Sequence, residues 1–312
     1  MATPPKPRVS TQQWALSAAP ETQILGARAT SRGFYTWMLD QDFDHQHYAY
    51  KLGLEYDGVD YQHGNDVISN LLQELGQYGR EDATKLFPEL VSAVARGHLN
   101  FGRCVFELFE DVSGDTPCAR LGVLPGWSLK RRRGDTFQST PRAGEFEWRK
   151  LPNAALAEFR LPGRLGKDLY LTSKRLKALD AYRPGDPEML AGPRSAGYDF
   201  NAHRNSLDEL AARATKSIGW PGRDSFLRRA TNSYRTYRQL RFRHTWLTVV
   251  SATTETLNDI CNNPSFGAGT SFSVRVTGLP KIEEIEHYMD GVTNGTASLD
   301  EIFQKVLHPR YT

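Results

Sequence analysis

The apolar residues change period at Gly102, and that change limits the folds open to the chain. Before it, Leu86, Leu90, Val91, Val94 and Leu99 recur at helical spacing. After it, Arg103 to Glu110 reads RCVFELFE, a strand of nearly continuous apolar character. Short strand-like runs follow around Leu121–Leu124, Trp127–Arg131, Glu145–Trp148 and Ala155–Arg160. Glycines and prolines punctuate them at Gly114, Pro117, Pro125, Gly134, Pro141 and Pro152. The links are those of a small antiparallel β-region. The sequence therefore predicts an α+β fold, mainly helical, with a small antiparallel β-region in the middle and a long helix in the C-terminal half.

Other segments are read in the same way. Phe34 to Lys51, rich in aromatics, is expected to be helical. Asn65 or Asp66 is expected to cap a helix carrying Val67, Ile68, Leu71, Leu72 and Leu75, ending at Gly79. A short helix starts at Thr172, and Ser206 with Glu209 reads as a capping box opening another. Between them Arg183 to Gly197 is a Pro/Gly-rich exposed loop. A long helix is expected from near Asp224 to Cys261, about 55 Å if unbroken. Ser271 to Thr277 alternates as a strand, with Phe272, Val274 and Val276 on one face. Two helices close the chain, the last opened by a capping box at Ser298 and Glu301. The expected organisation is an irregular arm at 1–30, a helix-then-β core at 31–170, a loop-rich connector at 171–222, and the long basic helix with the C-terminal strand and helices at 223–312.

The strongest chemical signal is basic. Arg213, Lys216, Arg223, Arg228, Arg229, Arg235, Arg238, Arg241 and Arg243 are opposed within their span only by Asp224. Tyr234, Tyr237, Phe242 and Trp246 are interleaved with them. Arg228, Arg235, Arg238 and Arg241 fall roughly on one helical face, so something negative is expected opposite. Phosphates and a neighbour's carboxylates are the two readings of that partner, and a solvated helix face is the reading without one. Lys130, Arg131, Arg132 and Arg133 form a second cluster at a strand end, a candidate phosphate or partner contact. The candidate nucleic-acid contacts are thus Arg228, Arg229, Arg235, Arg238, Arg241, Lys130, Arg131, Arg132 and Arg133.

Other chemistries find little support. Cys104, Cys118 and Cys261 are odd in number and form no CxxC, which argues against a disulfide framework or a cysteine zinc site. In Asp42–His47 the histidines share a face only if the segment is extended, and the helical reading separates them. Gly163 to Lys167 has two residues between its glycines where a phosphate loop needs four, and Asp168 replaces the Ser/Thr. No catalytic residue, metal or cofactor is expected. No apolar run approaches a membrane span, and the Pro-rich start has no apolar core of a secretory signal. The hydrophobic fraction of 39% is low for a compact globule and leaves surface for partners.

The order of elements resembles the core of tailed-bacteriophage portal proteins. The residues that carry it are the helix Leu86–Asn100, Phe101-Gly102, the acid-ended strand CVFELFED, and FRLPGRLG at Phe159–Gly166. Trp37-Met38-Leu39-Asp40 upstream, and the C-terminal layout ending in Gly291 to Glu301, are similar to segments of the same proteins. The resemblance covers residues 34–166 and, more loosely, 224–307; residues 180–222 match no clip region. It implies a structural subunit of a closed ring of about a dozen copies, a conduit for double-stranded DNA at a capsid vertex. Partners would be terminase and capsid or head-completion proteins, the location the virion or host cytoplasm, and the chain itself would not be an enzyme. Two alternatives stand beside it: a non-ring nucleic-acid-binding module using the arginine helix, and an enzyme with a site in the β-region near Glu107 and Glu110.

Overall fold

A computed structural model describes residues 33–76, 81–111, 118–142, 145–180, 199–222, 230–263 and 271–307. The arm at 1–30, the Arg183–Gly197 loop, and Arg228 and Arg229 lie outside the described residues. The fold is α+β, with small antiparallel sheets and a long C-terminal-half helix, as expected. The chain divides into two units, each assembled from separate stretches. One holds Lys51–Gly166 and Thr248–Leu279; the other holds Arg32–Tyr50, Lys167–Leu247 and Pro280–Thr312. This differs from the consecutive segments expected, because the pairings that define each unit are distant in sequence.

In the β-rich unit, β1 (Gly53–Asp57) pairs antiparallel with β8 (Ser273–Thr277), and Leu54 faces Val276. Residues 53–57 carry no strong strand pattern; β8 supplies the partner that makes them a strand. The Asn258 amide holds β8 in place, donating to Val274 O at 3.1 Å and accepting from Val274 N at 2.7 Å. Helix α2 (Tyr61–Leu72) is capped by Asp60, whose side chain accepts from the backbone of His63. It therefore starts earlier than an Asn65 or Asp66 cap would place it. It ends in a 3-10 turn closed at Gly76, not at Gly79.

Helix α3 (Ala83–Phe101) is capped by Asp82 and stopped by Gly102 in the left-handed conformation at φ 71°. The strand after it, β2 (Cys104–Asp111), is central in a sheet with β3 (Cys118–Val123) and β7 (Leu156–Phe159). Residues 104–109 are all buried because β2 is covered on both faces. Cys104, Phe106 and Leu108 share one face, and Cys104 lies against α3, its thiol donating to Ala93 O at 3.7 Å. From the other face Val105 packs with Leu124 and Leu129, flanked by Leu151 and Leu156. Leu129 and Leu151 belong to the second sheet, β4 (Leu129–Arg132), β5 (Asp135–Arg142) and β6 (Glu145–Leu151). The strand β5 was not anticipated; it forms a hairpin with β4 through Arg133-Gly134.

Two residues make the α3–β2 junction exact. A Cβ on Gly97 would lie 2.7 Å from Cys104 Cβ and 3.1 Å from its Cα. His98 is buried and its Nε2–H donates to Phe159 O at 2.8 Å, tying α3 to β7. Burial holds the His98 pKa below its ordinary value.

The helical unit begins with α1 (Phe34–Asp44), whose N-cap Gly33 has no side chain to offer. Its first turn is capped from a distance: Asp180, last residue of α4 (Leu165–Asp180), accepts from Tyr35 N at 2.8 Å and Thr36 N at 3.2 Å. A Cβ on Gly33 would overlap the Asp180 carboxylate, so that position requires glycine. Helix α5 (Phe200–Ala214) is capped by Asp199. Ser206 sits inside α5 with its hydroxyl on Ala202 O, so the Ser206–Glu209 capping box expected there does not form. Helix α6 (Asn232–Cys261) starts eight residues after Asp224, with Thr231 Oγ1 accepting from Tyr234 N–H. Helix α7 (Ile282–Asn294) ends at left-handed Gly295. Helix α8 (Leu299–Ile302) is opened by Ser298, which accepts from Glu301 N as the sequence predicts.

Two outcomes are expected. Gly97→Ala should destabilise the chain by about 1–3 kcal/mol in chemical denaturation, although alanine is the better helix former. His98 titrates with a depressed folded pKa, so its contribution is present at neutral pH and is lost as pH falls below its unfolded value of about 6.5. Stability measured between pH 8 and 5 should fall less steeply in His98→Asn than in the parent.

Candidate nucleic-acid interface

The arginines of α6 face something negative, and it is this chain's own backbone. Arg238 is 1% exposed. Its Nε donates to Gly219 O at 3.2 Å, its Nη1 to Ala212 O at 3.0 Å, and its Nη2 to Thr215 Oγ1 at 2.8 Å and to Trp220 O. Arg241 Nε donates to Ser217 O at 3.0 Å, and Thr245 Oγ1 to Ile218 O at 3.0 Å. Four successive carbonyls, Ser217 to Trp220, are thus taken by one face of α6. They follow the C-terminal end of α5, where orphan carbonyls concentrate negative potential. Gly219, at φ 79°, allows the close approach; a Cβ there would lie 2.5 Å from Phe242 N.

Arg243 points the other way round α6. It donates to Gln46 O at 2.8 Å and Leu307 O at 3.3 Å, with its guanidinium carbon 4.7 Å from the centre of the Tyr50 ring. Burial lowers the pKa of both Arg238 and Arg243. It pushes the Tyr50 phenol up to about 12, against the opposing pull of Arg243. The expectation that Arg238 contacts phosphate is therefore corrected. Arg238 is inaccessible and Arg241 is half-buried with its Nε spent; Arg235 is half-buried beside them. Of the interleaved aromatics, Phe242 and Trp246 are core, and Tyr234 is exposed.

The second basic cluster is at the surface. Lys130, Arg131, Arg132 and Arg133 are all exposed, on β4 and the turn after it. Strand alternation sorts them. Arg131 shares the inner face with Leu129 and lies 3.7 Å from Glu158 of β7. Lys130 and Arg132 take the outer face. Register sets Lys130 opposite Phe137, and Phe137 opposite Lys150, in one row across the sheet. Trp148, opposite Ser139, is 47% exposed, and the Lys130 ammonium reaches across β5 to within 5.6 Å of its ring centre. Lys150 pairs with Asp135 at 2.8 Å. The Arg133-Gly134 turn has φ values of 52° and 87°, the pattern of a type I′ hairpin. Lys150, Trp148 and Phe137 were not among the sequence candidates; their link to Lys130 appears only once the strands are in register.

The acids of the enzyme reading sit apart from the described cavity. Glu107 is buried in β2, Glu110 is half-buried at its end, and neighbouring Asp111 is bound to Arg120 Nε at 2.6 Å. A cavity of about 350 Å³ between α3 and the Val123–Gly126 segment is lined by Glu89, Arg96, Phe101 and Arg103 among others, and by none of these three acids. Among the described residues no three His, Cys, Asp or Glu side chains group as metal ligands, and no helix is long and apolar enough to cross a membrane. His47 Nδ1 meets Asp44 O, and Asp42 accepts from the Trp220 indole. No protein-family model and no curated protein matches the chain.

Arg238→Ala should cost on the order of 3–5 kcal/mol of unfolding free energy, because it strands buried carbonyls. Arg238→Lys should recover only part of that, since an ammonium cannot span four acceptors in a fork. Denaturant midpoints of the three proteins would check this; a parental midpoint for Arg238→Ala would contradict the clamp.

Proposed function

We propose that the chain is a structural, non-catalytic subunit of a portal-type ring, a closed homo-oligomer that conducts double-stranded DNA at a capsid vertex. Terminase and capsid or head-completion proteins are the partners that reading carries, with the virion and the host cytoplasm as its locations. The observation that supports it most is the set of large apolar side chains left at the surface of the helical unit. Phe34 and Trp37, 40% and 41% exposed, lie one turn apart on α1, and Phe303 is 52% exposed. Exposed aromatics close together on a rigid helix are what a subunit contact needs. The order α3, left-handed Gly102, twice-covered β2 and paired small sheets is consistent with the resemblance drawn from the sequence. The basic outer sheet supplies a surface for a polyanion.

A second reading, a nucleic-acid-binding module that forms no ring, is favoured by that same sheet, which is complete within one chain. It would use the sheet and not Arg238 or Arg243 of α6, whose guanidiniums are committed to backbone carbonyls.

Light scattering across a wide concentration range, with and without duplex DNA, decides between them. The ring predicts one discrete mass of many chains, and Trp37→Arg should shift it to smaller species without unfolding the protein. A monomer under every condition would overturn the ring and leave the module.

A further inference from the structure

We infer that the outer face of the β4-β5-β6 sheet binds single-stranded nucleic acid, with Trp148 as a base-stacking platform and Lys130, Arg132, Arg133 and Lys150 as phosphate contacts. The inference goes beyond the ring reading and holds whether the chain assembles or not.

Three observations carry it. The first is the mixture on this face. Its cations are Lys130, Arg132 and Lys150, against Asp135 as the acid paired to Lys150. A large aromatic ring stands among them at 47% exposure, with half-buried Phe137 on the neighbouring strand. Cations alone fit any polyanion. An exposed ring beside them gains most from a base whose π-face is open, which a duplex withholds and a single strand offers.

The second is the placement of Lys130. Its ammonium already lies over the Trp148 ring, 5.6 Å from the centre. A cation at that distance is attracted by the ring quadrupole and keeps the indole company while no ligand is bound. A base stacking on the indole displaces the ammonium, which then stands beside the strand's own phosphates. One movement of one side chain exchanges the cation–π contact for a stack and an ion pair.

The third is the turn. Both central residues have positive φ, 52° at Arg133 and 87° at Gly134. Asn-Gly is the favoured pair for such a turn, and an arginine in the left-handed region is uncommon. A Cβ on Gly134 would meet nothing, so the tip is open to solvent on that side. The hairpin therefore presents a guanidinium at its exposed apex at some conformational cost, next in sequence to Arg132.

The test uses the full chain and fluorescence anisotropy with a labelled single strand of about 12 nucleotides, within the site sizes that single-strand-binding OB folds cover. The matched blunt duplex is the second probe. The single strand should bind at least about tenfold tighter than the duplex. Trp148→Ala should weaken single-strand binding about tenfold or more, and Trp148→Phe, which keeps a ring, should retain most of it. Arg133→Asn should lower the salt slope by about 0.7 for the single strand without loss of stability, because asparagine suits the turn better. Equal or tighter duplex binding, or a Trp148→Ala protein with parental affinity, overturns the inference. So does a Trp148→Ala protein whose nucleic-acid affinity is unchanged while its mass in solution drops, which would make this face a subunit contact.

Discussion

The helical unit depends on one buried guanidinium. Helix α5 ends in a run of backbone that turns away at Thr215 and presents carbonyls with no helical partner. Water cannot satisfy them, because Ile218 and Trp220 are fully buried there. Arg238 supplies the donors and the positive charge in a single planar group, and the carbonyls replace the hydration the guanidinium gives up. No carboxylate is needed, since the C-terminal end of α5 already carries partial negative charge. Arg241 and Thr245, three and seven residues on, extend the same face and take the remaining two carbonyls. Arg243, on the opposite side of α6, ties Gln46 and Leu307 by the same device. On these two sides of α6, arginine thus does what aliphatic side chains do elsewhere.

The β-rich unit relies on a different constraint, the two-sided burial of β2. A strand covered on both faces carries apolar residues on both, which is why CVFELF, Glu107 apart, shows no alternation. The helix before it must come close on one side, and Gly97 provides the clearance against Cys104. A second small sheet must close the other side, and Leu129 and Leu151 reach Val105 from its inner face. Because the inner face of that sheet is used by the core, its outer face is released for charge and for Trp148. Core packing and the basic surface are two consequences of one alternation.

Much of this was legible in the sequence, and the failures share a cause. The α3–β2 junction, the Ser298 cap and the β8 alternation depend on neighbours in sequence, and they appear where expected. Asp180 capping α1 and Asn258 holding β8 are long-range pairings, so no local pattern announces them. Residues 53–57 become a strand only because β8 lies beside them. The Ser206–Glu209 box was a true local pattern overruled by a better cap at Asp199. The arginine helix reads, from its spacing alone, as facing phosphate, a neighbour's carboxylates or water. Its partner was missed because carbonyls at a helix end carry no sequence signature of charge.

That omission bears on how basic helices are read. Arginines at three- and four-residue steps form a face whether they meet phosphate or backbone, so spacing cannot separate the two. Burial separates them, and burial follows from the residues between the arginines. Leu240, Phe242, Trp246 and Leu247 are all buried, so the arginines between and beside them, Arg238 and Arg243, go into the core with them. In β4 the neighbours of Lys130 and Arg132 are Leu129 on the core side and exposed Arg131, and the strand beyond them ends in an open turn. An apolar residue confined to one side of a basic run, followed by a tight turn, marks charge delivered to solvent. Apolar residues on every side of it mark charge consumed by the fold.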